Sequence, residues 1–179
     1  MSTSLKGKKI AFLATDGVEQ VELTDPREAL EKAGADIELL SIREGRIDGY
    51  HHLDKGGSFQ VDKLVGDAES SDYDALVLPG GVANPDALRQ DHAAVAFVRD
   101  FVEAGKPVAA ICHAAWLLVE ANVVRGRNLT SFPSVKTDIV NAGGHWVDEQ
   151  VCHDAPLITS RNPGDLEAFS GKIIEVVGR

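Results

Sequence analysis

The chain has 179 residues, with 18 Lys plus Arg against 28 Asp plus Glu and a formal charge of −10. That length supports one domain over residues 1–179, with a core large enough to need no disulfide or structural metal. The negative balance argues against nucleic acid or an anionic membrane surface as a partner.

From the start of the chain, KKIAFLA is a short apolar run of the kind that forms a buried strand. It is too brief for the core of a signal sequence, and no later stretch approaches the roughly 18 apolar residues of a membrane-crossing helix. A cytoplasmic protein is therefore expected, and in that reducing compartment its two cysteines, Cys112 and Cys152, stay as thiols.

The acidic DGVEQVEL leads into the helical pattern of REALEKAGA, which Gly34 ends. ADIELLSI reads as a second strand, and the glycine-rich, alternating GRIDGYHHLDKGGSFQVDK as a hairpin excursion. DALVLPGG is a third strand ending in a glycine turn, HAAVAFVRDFVEAG a helix stopped by Gly105, KPVAAI another strand and HAAWLLVEAN another helix. Short strands around LTSF and HWVDEQVCHD, a helix near SVKTDIVNAGG, a strand PLITS and a helix DLEAFSGKIIEVVGR complete the chain. Strands alternating with helices of this length predict an α/β fold: a mostly parallel sheet covered on both faces, with ligands beyond the carboxyl ends of the strands.

Cys112 falls where PVAAI gives way to HAAWLLVEAN, a strand-to-helix elbow like the nucleophile turn of hydrolases. Free amides at the start of the following helix favour thiolate over thiol, so this cysteine is expected to be acidic and reactive. A small apolar residue filling a tight junction is the alternative. His113, next in sequence, is placed to exchange a proton with the sulfur or to cap the helix. Cys152 lies in an extended stretch before Asp154, Ala155 and Pro156, with no helix start to face it, and is expected to be structural.

His51, His52 and Asp54 form at most half a metal site and have no second cluster at ligand spacing, so no metal is expected. LPGGVANP lacks the Lys-Ser or Lys-Thr ending of a phosphate loop and GxGxxG is absent, so no nucleotide cofactor is expected either. Trp116 and Trp146 lie on apolar patterns and read as core or interface packing.

VEQVEL, DALVLPGG, NPDALR, GKPVAAICH, NVVRGRNLTSFPSVKTDIVNAGGHWVD and ITSRNP together resemble the PfpI family of intracellular peptidase-like proteins, within the class I glutamine amidotransferase-like superfamily. The resemblance covers residues 8–178 and implies a flavodoxin-like three-layer sandwich. It also implies that Cys112 and His113 act together and that Asp86 of NPDALR, contributed by a neighbouring subunit, orients the histidine. A homodimer or higher homo-oligomer follows. Glu19, matched by the family pattern, is expected beside the sulfur in protonated form, and Glu22 as a surface or capping acid. Gly80 and Gly81, with the amide of His113, resemble an oxyanion pocket. Asp86 also has a plain reading as an acid at a helix start.

The chain departs from the pattern at CHAAW, where relatives often read CHGPW, and at Phe132, where one human relative has histidine. The implied substrates are reactive dicarbonyls or their adducts on proteins, handled as by a deglycase or glyoxalase. Peptides are the alternative, and a redox sensor or chaperone with an oxidisable cysteine is the rival of another class.

Overall fold

A computed structural model describes residues 3–179. The strands are β1 (Lys9–Leu13), β2 (Val18–Glu19), β3 (Asp36–Ser41), β4 (Arg46–His51), β5 (Asp54–Gln60), β6 (Lys63–Leu64), β7 (Ala75–Leu78), β8 (Val108–Ile111), β9 (Asn128–Leu129), β10 (His145–Trp146), β11 (Cys152–Asp154) and β12 (Leu157–Ser160). The helices are α1 (Gln20–Lys32), α2 (Ala83–Leu88), α3 (His92–Glu103), α4 (Ala115–Glu120), α5 (Lys136–Asn141) and α6 (Leu166–Val177).

Seven strands form the central sheet in the order β11-β12-β8-β7-β1-β3-β6. Every pairing in it is parallel except β11 with β12. The apolar runs KIAFL, ALVL and VAAI are buried on both sides, as parallel strands under helices require. Alternate residues sort into two cores. Ile10, Phe12, Val77 and Ile111 pack with Leu23 and Leu30 of α1 and Phe169 and Ile173 of α6. Ala11, Leu13, Leu76, Leu78 and Ala110 pack with Phe97 and Phe101 of α3, Leu117 of α4 and Ile139 of α5. This mixed α/β layering, with a mostly parallel seven-stranded sheet, is the flavodoxin-like arrangement expected.

The glycine-rich excursion is a separate three-stranded sheet in the order β2-β4-β5. It is strapped to the start of α1: the side chain of Glu19 accepts from the His52 amide at 3.1 Å, and that of Gln20 from the Gly57 amide at 2.7 Å. A Cβ on Gly56 would displace Gln20 Oε1 from this position.

At the other end of the central sheet, Cys152 of β11 lies opposite Thr159 of β12, and Thr159 lies opposite Ala110 of β8. Helix α1 begins at Gln20, well before the predicted REALEKAGA, and runs through Pro26. Proline lacks only the N–H that would reach the Glu22 carbonyl, so the helix continues at the cost of one internal hydrogen bond. Among the described residues no helix is long and apolar enough to cross a membrane.

Candidate active site around Cys112

Strand β8 ends in extended backbone at Ile111, and the next residue, Cys112, has φ of 63°. A left-handed conformation in a non-glycine residue stores on the order of 1–3 kcal/mol and persists only where its surroundings impose it. Here a 3₁₀ turn, Cys112–Ala114, reverses the chain into α4 and turns the cysteine out of the sheet at its carboxyl edge. The Phe132 amide donates to the Cys112 carbonyl at 3.1 Å and ties the elbow to the segment after β9.

The sulfur lies 3.2 Å from Nδ1 of His113, and the amides of Gly81 and His113 face it. The acid beside it is Glu22, not Glu19. Glu22 is fully buried, its Oε2 accepts from the Gly80 amide at 2.8 Å, and its carboxyl interacts with the Cys112 thiol. Oε1 is buried with no hydrogen-bond partner. Glu19 belongs to β2 and spends its side chain on the hairpin at His52. Three residues further along α1, Glu22 faces the sheet, which corrects both expectations for these acids.

Burial, and then the charge of Glu19, push the Glu22 carboxyl up to about 7 against the opposing Gly80 amide. Burial, and then the charge of Glu22, push the Cys112 thiol above its ordinary range, while the amides of Gly81 and His113 pull it down. The expected acidity from helix amides is thus outweighed: a 3₁₀ turn and a helix of only six residues follow the sulfur, and desolvation by its own pocket dominates. Glu22 and Cys112 form a pair in which one negative charge opposes a second. A thiolate is best tolerated when Glu22 holds the proton and donates it toward sulfur.

His113 is 8% exposed and its proton affinity is lowered by burial, so the ring is a neutral base near pH 7. Phe132 stacks on it with centroids 4.6 Å apart, and Trp116 meets it edge-on at 5.0 Å. Nε2 lies 3.2 Å from Ser134 Oγ. Asp86 does not reach His113 within the chain: it sits exposed in the first turn of α2, beside a groove shared with Arg89, His92, Arg99 and Glu120. Trp116 and Trp146 are half-buried rather than core, and their indole N–H groups donate to Asp138 and Ser131.

Gly80 is packed so tightly that a Cβ there would stand 2.6 Å from both Glu22 Oε2 and the Ile111 carbonyl and 2.7 Å from Cys112 Cβ. Its amide is already taken by Glu22, so it cannot serve an oxyanion as expected. The amides that face the sulfur are those of Gly81 and His113. Gly81, at φ 80°, leaves no space for a Cβ against the Gly17 carbonyl and the Glu19 amide. The turn is held from beneath by Asn84, fully buried, whose side chain accepts from the Thr15 amide and donates to the Pro79 and Gly80 carbonyls.

Glu22, Ser134 and Asn84 are therefore site residues that the sequence reading did not select. All three lie in segments that carry the family resemblance, VEQVEL, NPDALR and NVVRGRNLTSFPSVKTDIVNAGGHWVD, but no local pattern marked their roles. Cys152 is buried, and burial pushes its thiol up to about 11. His51, His52 and Asp54 are exposed. Among the described residues no group of three or more His, Cys, Asp or Glu is placed to hold a metal ion.

A buried cysteine at a left-handed elbow, an adjacent imidazole and a buried glutamic acid on a parallel α/β sheet define a family. The DJ-1/PfpI family model matches residues 8–176, and the chain belongs to that family. It is 42% identical over 174 residues to Protein/nucleic acid deglycase 2 of Escherichia coli, covering 96% of this chain and 98% of that one. It is 40% identical over 169 residues to General stress protein 18 of Bacillus subtilis, covering 92% and 94%. A two-domain protein of Anabaena variabilis, with DJ-1/ThiJ/PfpI-like and ferritin-like domains, superposes with a TM-score of 0.90 at 38% identity. That match covers 96% of this chain but 48% of the Anabaena protein, so the chain spans about half of it.

Proposed function

We propose that this chain is a cysteine-dependent stress-response enzyme that acts on reactive carbonyls such as methylglyoxal, or on their adducts with proteins. The observation that carries this reading is the Cys112 sulfur, strained at the elbow with His113 Nδ1 at 3.2 Å and the Glu22 carboxyl against it. Relatives named as a deglycase and a general stress protein support it.

In the proposed reaction the sulfur attacks the aldehyde carbon and the carbonyl electron pair moves onto oxygen. The thiol proton passes to His113 Nδ1 and from there to that oxygen, giving a hemithioacetal. His113 Nδ1 then takes the proton from the former aldehyde carbon and returns it to the neighbouring carbonyl carbon, while the hydroxyl proton on the first carbon passes to the oxygen of the second; the product is a thioester, which water cleaves to a 2-hydroxy acid and free thiol. Glu22, protonated, hydrogen-bonds the sulfur while it carries charge. Gly81 and His113 supply the amides.

An aldehyde is already electrophilic, whereas a peptide bond requires its leaving amine to be protonated and its strand to be seated in a groove. Carbonyl chemistry therefore ranks above proteolysis here. Sustained conversion of methylglyoxal to lactate, with an adduct on Cys112 visible by mass spectrometry, is the expected result. No turnover of dicarbonyl or peptide, together with a selective two-oxygen gain at Cys112 under peroxide, would replace the enzyme by a redox sensor.

The proposed role of Asp86 requires a second copy, because its carboxylate is exposed and away from its own His113. Activity is then expected to fall on dilution in step with dissociation measured by sedimentation. Full activity in a proven monomer would remove Asp86 from the site.

A further inference from the structure

We infer that Ser134 is a positioning residue that keeps Nδ1 of His113 facing the thiol and stabilises the ring when it gains a proton. The inference rests on the reading of His113 as the proton partner of Cys112. Phe132 stacked on one side and Trp116 edge-on fix the plane of the ring, but neither decides which nitrogen carries hydrogen. Two polar contacts bear on it: Nδ1 to Cys112 Sγ and Nε2 to Ser134 Oγ, each at 3.2 Å.

A neutral imidazole has one donor and one acceptor nitrogen. If Nδ1 accepts the thiol proton, Nε2 carries the hydrogen and gives it to Ser134 Oγ. After the transfer both nitrogens are donors, and Oγ still accepts from Nε2. The contact thus survives the proton movement, and it strengthens as the ring becomes charged. In the opposite tautomer Nδ1–H would face the thiol and no lone pair would be ready for its proton.

Among the described residues no carboxylate bonds to His113, and burial alone is what lowers its proton affinity. Ser134 is consequently the sole polar anchor of Nε2 among the described residues. Its place is set by the 3₁₀ turn Pro133–Val135, which follows the Phe132 amide bonded to the elbow carbonyl.

The test is ¹⁵N nuclear magnetic resonance of histidine-labelled protein above the pH at which His113 titrates, compared with the alkylation rate of Cys112 by iodoacetamide at neutral pH. In the unaltered chain His113 should show a protonated Nε2 and a bare Nδ1. Ser134→Ala should give mixed tautomers and alkylate about tenfold more slowly, the effect of one lost hydrogen bond, and Ser134→Thr should restore both. Ser134 is exposed, so the alanine variant is expected to keep its melting temperature. A protonated Nδ1 in the unaltered chain, or unchanged ring signals in a folded Ser134→Ala, would overturn the inference. The ring signals involve no substrate, so a protein that turns over no dicarbonyl can still pass or fail this test.

Discussion

Cys112→Ser is expected to lower methylglyoxal turnover by a factor on the order of 10⁴, the scale of losing the nucleophile from a cooperating set, while Cys152→Ser leaves turnover unchanged. A serine hydroxyl occupies nearly the same volume at the same left-handed backbone position, so the elbow survives. The hydroxyl, however, is far less acidic than a thiol. His113 has its proton affinity lowered by burial, and Glu22 as an anion opposes any second charge beside it. Neither group can hold an alkoxide there. Cys152 is followed by His153, but in strand β11 the two side chains project from opposite faces, and Cys152 faces Thr159 across an antiparallel pair. Comparing kcat/KM for loss of dicarbonyl in the two variants decides the matter, and appreciable turnover by Cys112→Ser would end the proposal of thiol attack.

Glu22→Gln is expected to change how stability responds to pH. In the native chain the carboxyl holds its proton up to about 7, against an ordinary value of 4.5. Between those values the native state binds more protons than the unfolded state, so stability falls as pH rises. The contribution is fully present below 4.5 and is lost by the time the native carboxyl has ionised. At ~1.4 kcal/mol per pH unit the loss amounts to about 3 kcal/mol. Glutamine keeps a carbonyl oxygen for the Gly80 amide and cannot ionise, so the variant should lack this slope. Removing the charge should also let the Cys112 thiol ionise at lower pH, moving the midpoint of its alkylation profile downward. Urea unfolding of both proteins from pH 4.5 to 7 measures the first effect, and equal slopes would refute the assignment of the buried proton.

The alternation of apolar strands with helices carried the fold, because each strand is buried on two faces and so reads as an unbroken apolar run. The elbow was equally legible, since Cys112 stands at the junction of such a run with a helix. The acid was not. With α1 read as beginning only at REALEKAGA, the phase of its first turns is lost, and Glu19 and Glu22 exchange places: one faces the hairpin, the other the sheet. Ser134 left no trace because its contact spans 21 residues and depends on the chain after β9 folding back onto the elbow. For Gly80, sequence supplies the residue that a close approach demands but not the acceptor that claims its amide. The acidity of the sulfur went the other way because sequence displays a helix start and conceals burial.

The register of β11, β12 and β8 also bears on repair. Two strand spacings of ~4.8 Å separate Cys152 from Ala110, and Cys112 lies two residues further along, whereas a disulfide needs Cα atoms within about 7 Å. The chain therefore holds no resolving thiol for its elbow cysteine. Once oxidised to a sulfenic acid, Cys112 therefore depends on a thiol from outside its own chain, such as glutathione, for return by disulfide exchange.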